Sequence, residues 1–358
     1  MKILIFAGGS GKRFWPISRV KVPKQFIKIS NNTSTLEMAI KRVQPAFGLH
    51  NIFISTNEDY IGVVKEIFPK ISSANIFGEP EMKDVGPAAG LALIRLRKMG
   101  VREPIAILWA DHFMENVRQF QDKLKLGEEL VLKKKAEIVF YGEKPAFANP
   151  NVGWIDIGKK FGKEIHHFED WMYRPVKEIC EKKLKAGKSL INTGYFVSTL
   201  DYLLSIYKQY NPDLYRKLKK IEEALDTPNE SSVIDKIYPT IEPIHFDHCV
   251  PYHVKKKDVL VLETKMGWED PGTLYALKNY LSPGKKNAVK GNVFDYDNKD
   301  CMLYNYDSKK LLAGVKLDGM VVVNTKDAIL VVHKDYVRDV SEMLKSKKFK
   351  DSKFAKYL

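Results

Sequence analysis

The chain opens with a strand-like stretch, residues 2–7, whose unbroken apolar run from residue 3 leads straight into Gly8-Gly9-Ser10-Gly11. A short apolar run bounded by turn residues reads as a strand buried on both faces. Three glycines at its end demand a backbone that turns tightly and can approach a ligand closely. Similar runs recur at 51–56, 104–110 and 136–141, and helical patterns fill 35–43, 58–68, 87–99 and 117–133. Strand alternating with helix at this spacing predicts an α/β fold with a Rossmann-like, mostly parallel sheet and helices on both faces. No period of 20–50 residues repeats through this part.

Beyond residue 152 the pattern is mixed. Strands are predicted at 153–157, 164–168 and 258–263, and helices at 175–186 and 200–218. A turn-rich basic stretch, 282–287, precedes short strand-like pieces at 292–294, 301–304, 311–313, 320–323 and 328–332, closed by a polar helix at about 335–345. Two domains are therefore expected: a catalytic domain over 1–282 and a small β-rich domain over 283–358. The length of 358 residues suits two domains. Hydrophobic residues at 44% and charged residues at 29% are the balance of a soluble globular protein. No apolar run approaches the roughly 20 residues that span a bilayer. The first strand is too short for a signal peptide. Cys180, Cys249 and Cys301 are widely spaced, with neither metal-site nor disulfide-framework spacing, so a reducing cytoplasm is the expected location. The net charge of +15 favours anionic partners. Nucleic acid is not expected among them, because neither a paired aromatic platform nor zinc-finger spacing accompanies the lysines.

The glycine loop carries the chemistry. Successive loop N–H groups can cradle phosphate oxygens. Arg13 adds a planar five-donor fork for polyphosphate, and Lys24 adds a compact positive charge that must fold back over the loop. The loop is not a Walker P-loop, since no Gly-Lys-Ser/Thr follows at the required spacing. It is not a complete dinucleotide fingerprint either, because Phe14 stands where the third glycine belongs.

With Trp15-Pro16-Ile17-Ser18-Arg19 and Pro23-Lys24-Gln25-Phe26 added, the segment resembles the sugar-phosphate nucleotidylyltransferases, and most closely the mannose-1-phosphate guanylyltransferase (GDP-mannose pyrophosphorylase) family of the bacterial type. Its signature reads Gly-Gly-x-Gly-x-Arg-Leu-Trp-Pro-Leu-Ser-Arg, then Pro-Lys-Gln-Phe. The resemblance implies attack by a sugar-1-phosphate oxygen on the α-phosphorus of a nucleoside triphosphate, expelling pyrophosphate. It implies a nucleotide-binding set of Ala7, Gly8, Gly9, Gly11, Arg13, Glu79, Pro80, Gly86 and Pro87, with Arg13 on the departing phosphates and Lys24 at the α-phosphate. Such catalysis is positioning and charge neutralisation.

Asp111 follows the predicted strand 104–110, and carboxyl ends of parallel strands are where α/β sheets bind ligands. It lies in Ala110-Asp111-His112, similar to the family's Pro-Ala-Asp-His, with Trp109 in place of the Pro. Asp270 lies in Trp268-Glu269-Asp270, similar to Trp-Ser-Asp-x-Gly. The resemblance implies that the two aspartates share one Mg²⁺ or another divalent cation, a metal suited to one or two carboxylates plus phosphate oxygens. Histidines 245, 248 and 253 lack closed zinc-site spacing. Glu79 can accept from guanine N1–H and N2–H₂, a donor pair adenine lacks, and the small residues from Gly86 to Gly90 would let a flat base lie against backbone. Asp84 and Val85 depart from the Asn and Thr of the family's Glu-Pro-x-x-Lys-Asn-Thr-Ala-Pro.

Sugar contacts implied by the resemblance are Gly153, Asn192, Thr193 and Asp111. The family's Phe-x-Glu-Lys-Pro appears here as a stretch ending Tyr173-Arg174-Pro175. Arg174 replaces Lys as the phosphate ligand, and Glu169 or Asp170, from a longer loop, is expected to supply the acceptor that Tyr173 lacks. Downstream, Phe246-Asp247-His248-Cys249-Val250-Pro251-Tyr252 keeps the family's Asp and loses its terminal Glu. The β-rich piece resembles the family's short β-helix-like domain, which serves packing or formation of a homodimer. The leading reading is GTP plus mannose 1-phosphate to GDP-mannose. The alternatives are another manno-configured sugar 1-phosphate such as a heptose 1-phosphate, and a catalytically silent sugar-nucleotide-binding regulatory subunit.

Overall fold

Continuous burial of Ile3, Leu4 and Ile5, each with no exposed surface, makes β1 (Lys2–Phe6) the kind of strand that only a covered parallel sheet accommodates. The computed structural model describes residues 1–9, 14–19, 23–30 and 33–357. The further strands are β2 (Lys28–Ser30), β3 (Thr33–Ser34), β4 (Ile52–Asn57), β5 (Ile76–Glu79), β6 (Ile105–Trp109), β7 (Ile138–Glu143), β8 (Trp154–Gly162), β9 (Ile165–Met172), β10 (Ser189–Ser198), β11 (Val259–Thr264), β12 (Ala288–Lys290), β13 (Val293–Tyr296), β14 (Met302–Asn305), β15 (Leu312–Val315), β16 (Met320–Asn324) and β17 (Ile329–His333).

Two compact units result. The first comprises Met1–Gly8, Ala39–Ala110 and Met114–Trp268. Its nine-stranded sheet runs β5-β4-β1-β6-β10-β7-β11-β9-β8. β5, β4, β1 and β6 are mutually parallel, with Ile5 opposite Ile54 and Leu108. β7 and β11 form a second parallel pair, and β10 is inserted antiparallel between β6 and β7. Several helices begin at capping side chains, which satisfy N–H groups the first turn leaves free. Asp84 accepts from Val85 N at the start of Val85–Lys98, and Asn116 accepts from Gln119 N at the start of Val117–Leu132. The helix predicted over 200–218 is two helices, Leu200–Tyr210 and Pro212–Ala224, because Pro212 has no N–H to donate and starts a new helix.

The second unit comprises Gly9–Met38, Asp111–Phe113 and Glu269–Leu358. β12, β14 and β16 stack in parallel with β17 antiparallel at the end, and β13 pairs in parallel with β15. Stacked parallel rungs align like residues, and the Asn324 amide donates to Asn305 Oδ1 at 2.8 Å between neighbouring rungs. The inner faces, Met302, Tyr304, Val321 and Val323, share a core with Phe14, Ile29 and Leu277. No helix among the described residues is long and apolar enough to cross a membrane.

Candidate active site

In the first unit, β1 delivers Ala7 and Gly8 to the carboxyl edge of the sheet. Ala7 is buried, its N–H bonded to Ser55 O at 2.8 Å and its carbonyl accepting from the Thr56 hydroxyl. Gly8 and Gly9 are exposed, and Gly9, which begins the second unit, has φ +120°, a conformation glycine supplies without strain. Gly11 and Arg13 lie outside the described residues. Glu79 ends β5, nearly buried, and a Cβ on Gly8 would stand 3.6 Å from its Oε1. Its other oxygen accepts from Tyr238 Oη at 2.9 Å. Burial pushes the Glu79 carboxyl up to about 7, the Tyr238 hydrogen bond pulls against this, and the charge of Asp84 adds to it. One carboxylate oxygen is thus anchored by the protein while the other lies beside the first glycine of the loop.

Asp84 has φ +66°, a strained backbone for a non-glycine residue. Its carboxylate caps Val85 and pairs with His245 Nδ1 at 2.8 Å. Pro80 is half-buried, whereas Gly86 and Pro87 are buried in the helix start. A side chain on Gly86 would meet Cys249 Sγ and Ile244 O, both at 2.6 Å, so its smallness serves packing. The sequence alone points that smallness toward a base lying on backbone.

The sugar candidates gather on β8, β9 and β10. Gly153 precedes β8, and its carbonyl accepts from Asn192 N at 2.8 Å. Asn192 Oδ1 accepts from Gly194 N at 2.9 Å, where Gly194 takes φ +73° under the Trp109 indole. Trp109 donates to Gly194 O at 3.0 Å and packs on Phe6, which is what it does in place of proline. Thr193 is buried, and its hydroxyl is committed to Tyr141 O at 2.8 Å. Glu169 and Asp170 do not sit on a loop: β9 continues through Met172, with Asp170 opposite Asp156 and a register shift at Glu169. Glu169 is exposed and pairs with Lys256 at 3.4 Å. Arg174 has φ +43° and lies over the Tyr173 ring. Asp247 is half-buried, and burial raises its carboxyl, partly offset by His245 and His248. His248 stacks on Tyr252 and His253 on Tyr210.

In the second unit, the segments holding the two aspartates are joined by an antiparallel bridge. Phe113 N donates to Glu269 O at 2.8 Å, and Glu269 N donates to Phe113 O at 3.1 Å. Asp111 and Asp270 therefore sit on adjacent chains within two residues of the bridge. Lys24 is buried in a short helical turn, Lys24–Phe26, where its ammonium ion-pairs with Asp111 and lies 5.5 Å from the centroid of Phe14. Asp270 Oδ1 is buried with no hydrogen-bond partner among the described residues. A buried carboxylate oxygen without a donor is poised for a cation. No set of three or more His, Cys, Asp or Glu capable of holding a metal occurs among the described residues. Two carboxylates fit a Mg²⁺-type ion that completes its shell with phosphate oxygens and water.

Sequence reasoning misses Tyr238. Tyr238 comes 159 residues after its partner and carries no motif.

Comparison with known proteins adds an independent finding. The family model described as nucleotidyl transferase matches residues 2–282, and the model described as MannoseP isomerase/GMP-like beta-helix domain matches residues 291–346. The alginate biosynthesis protein AlgA of Pseudomonas aeruginosa is 27% identical over 96% of this chain and 71% of its own length. A mannose-1-phosphate guanylyltransferase of Escherichia coli is 28% identical over 95% of this chain and 72% of its own. The crystal structure named mannose-1-phosphate geranyltransferase from Thermus thermophilus shares the fold, with a TM-score of 0.84 at 23% identity over 96% of this chain and 98% of that one.

Proposed function

Because the chain belongs to the nucleotidyl transferase family, we propose that it is an enzyme joining GTP and mannose 1-phosphate to give GDP-mannose and pyrophosphate. An oxygen of the sugar phosphate bonds to the α-phosphorus as the bond to the pyrophosphate oxygen breaks. No protein nucleophile is needed, so the residues act by holding and neutralising charge.

The observation that carries this reading is the bridge between Phe113 and Glu269, which joins the segments holding Asp111 and Asp270, with Lys24 paired to the former. Asp111 and Asp270 would hold the divalent cation, whose chemistry when bound is to neutralise phosphate charge and orient its oxygens. Lys24 carries a positive charge for the α-phosphate, held in place by Asp111. Arg13 is assigned to the departing phosphates. Ala7, Gly8, Gly9 and Gly11 are assigned to the nucleotide by their backbone. Glu79, with Oε2 anchored by Tyr238, leaves Oε1 to accept from guanine N1–H and N2–H₂. Gly153, Asn192 and Arg174 are assigned to the sugar phosphate, and Asp111 to both it and the metal. We assign residues 1–282 to catalysis and 283–358 to a packing or dimerisation domain.

The test is a panel of sugar 1-phosphates against the four ribonucleoside triphosphates, read by pyrophosphate release. GTP with mannose 1-phosphate should give the highest kcat/KM. A heptose 1-phosphate preferred outright would replace mannose, and no release from any pair would leave a silent binding subunit.

A further inference from the structure

Two residues of the segment that follows the glycine loop, Trp15 and Arg19, take no part in the chemistry proposed for Arg13 and Lys24. Both are committed to the far end of the described chain. Trp15 is buried, and its indole Nε1 donates to the Tyr357 carbonyl at 2.8 Å. Arg19 Nη1 donates to the same carbonyl at 2.9 Å, so both lone pairs of that oxygen are used. Arg19 Nε donates to Pro16 O at 3.3 Å, and Nη2 pairs with Asp327 Oδ1 at 2.7 Å. Asp327 lies in the turn between β16 and β17. One guanidinium fork thus ties three pieces of the second unit: its own loop, the last hairpin of the stack, and Tyr357. The Arg19 side chain is only 17% exposed, so water competes little for these bonds.

The carbonyl end of this tie is itself held. Val340 and Leu344, from the helix Asp339–Lys345, share the core that contains Phe14 and Trp15. Phe349 meets the Trp15 ring edge-on with centroids 6.4 Å apart, and Tyr357 packs against the same core. The motif end is coupled to the candidate chemistry. Ile17 N and Ser18 N both donate to Phe14 O, at 2.8 and 3.1 Å, which closes residues 14–18 into one tight turn. The Phe14 ring centroid lies 5.5 Å from the ammonium of Lys24, which pairs with Asp111. Arg13 directly precedes Phe14 in sequence. From Tyr357 to Asp111 the connection runs entirely through the second unit. Apolar packing is non-directional, whereas a set of hydrogen bonds fixes the orientation of the turn it holds.

Resting on the reading of this chain as a nucleotidyltransferase, we propose that the segment Ala355–Tyr357 and the Asp327 turn form a positioning clamp for the phosphate-handling residues, in which Arg19, with Trp15, fastens the motif to the Tyr357 carbonyl and so sets Phe14 and Lys24. The β-rich unit then serves catalysis as well as packing or dimerisation. Arg19 is a positioning residue: it acts through its neighbours and not on substrate. A misplacement of about 1 Å caused far from the chemistry can cost about 100-fold in rate.

The experiment compares the wild type with a chain ending at Phe354, with Arg19→Lys, and with both changes together. Each is given GTP and mannose 1-phosphate and read by pyrophosphate release and by thermal melting. Ending at Phe354 removes the accepting carbonyl and should lower kcat about 10- to 100-fold. The KM for mannose 1-phosphate should stay within about twofold, because its candidate contacts Gly153, Asn192 and Arg174 lie in the first unit. Arg19→Lys keeps a charge for Asp327 but loses the fork, and should lower kcat about fivefold, the worth of about one hydrogen bond. Because both changes break the same bond, the double variant should be within about twofold of the shorter chain. A lower melting temperature with unchanged kcat means that the clamp only stabilises the fold, and overturns the proposal. Losses of kcat that multiply in the double variant overturn it, as does a sugar KM that rises as far as kcat falls. Should the shorter chain show no melting transition, Arg19→Lys decides, and an unchanged kcat there overturns the proposal. Wild-type protein that releases no pyrophosphate with any sugar 1-phosphate sinks the functional reading and this inference together. Wild-type turnover with unchanged kcat in both single variants sinks the inference alone.

Discussion

Glu79 in the first unit and Asp300 in the second are equally buried carboxylates with opposite surroundings. Asp300 is met by the ammonium of the fully buried Lys278, by Lys334 at 2.8 Å and by Tyr275 Oη at 2.7 Å. Burial alone would raise its carboxyl, but those donors together outweigh burial and hold it well below the usual carboxylate range. Among the described residues Glu79 is met by one neutral donor, Tyr238, and burial wins, raising it to about 7. The difference separates a carboxylate whose valence the protein fills from one whose valence is left for something else. Asp270, with a buried oxygen that no donor meets among the described residues, falls on the Glu79 side of that division.

Four measurements would sharpen or break the contrast. The largest effect is expected at Asp300. Asp300→Asn leaves Lys278 charged and buried without its counterion, which should cost about 3–5 kcal/mol of stability in denaturant titration. A loss under about 1 kcal/mol would show that the lysines are not held by this acid.

Next comes Asp270→Asn, which should leave stability near wild type and lower kcat about 100–1000-fold, the range for losing one charge-stabilising group at a transition state. Near wild-type kcat at saturating Mg²⁺ would remove Asp270 from the metal and return it to a structural role.

The third concerns pH. Glu79 is raised in the folded state, so the unfolded chain releases this proton first as pH rises above about 4.5. Its contribution to stability is therefore full below the unfolded value, declines through the window up to about pH 7, and is flat above that. Asp300 is lowered, so its contribution is present above the unfolded value and lost only as pH falls toward the folded one. Between pH 5 and 8 the stability of Glu79→Gln relative to wild type should rise, by up to about 3 kcal/mol. Parallel curves over that range would mean that Glu79 titrates as an ordinary carboxyl.

The smallest effect is on base choice. ITP lacks the N2 amino group and should react with kcat/KM lower than GTP by a factor worth about 1.5–3 kcal/mol, and Glu79→Gln should narrow that gap. Equal values for GTP and ITP in the wild type would remove Glu79 from base recognition.

The strands most plainly legible in the sequence are those with unbroken apolar stretches. Burial under helices allows no polar residue without a partner, and so β1, β4, β6 and β7 read as continuous runs. β10 lies in the middle of the same sheet and was not legible. Its sequence, Ser-Leu-Ile-Asn-Thr-Gly-Tyr-Phe-Val-Ser, looks like a turn at its centre. In the fold, Thr193 donates to Tyr141 O and Ser198 donates to Glu137 O, so neighbouring strands satisfy the polar atoms that disguise it.

The candidate site divides the same way. Local motifs named Gly8, Lys24, Asp111, Asp270 and Glu79, because the residue type and its immediate neighbours carry the chemistry. Which carboxylate keeps a free oxygen is decided by partners far along the chain. Tyr238 reaches Glu79 across 159 residues, Lys24 reaches Asp111 across the chain, and Arg19 reaches Tyr357 across 338 residues. Sequence by itself determined the fold class and the chemical inventory, since both follow from patterns a few residues long. Only the tertiary structure decided the protonation, pairing and direction of those groups, since hydrogen bonding and burial depend on atoms that meet only once the chain has folded.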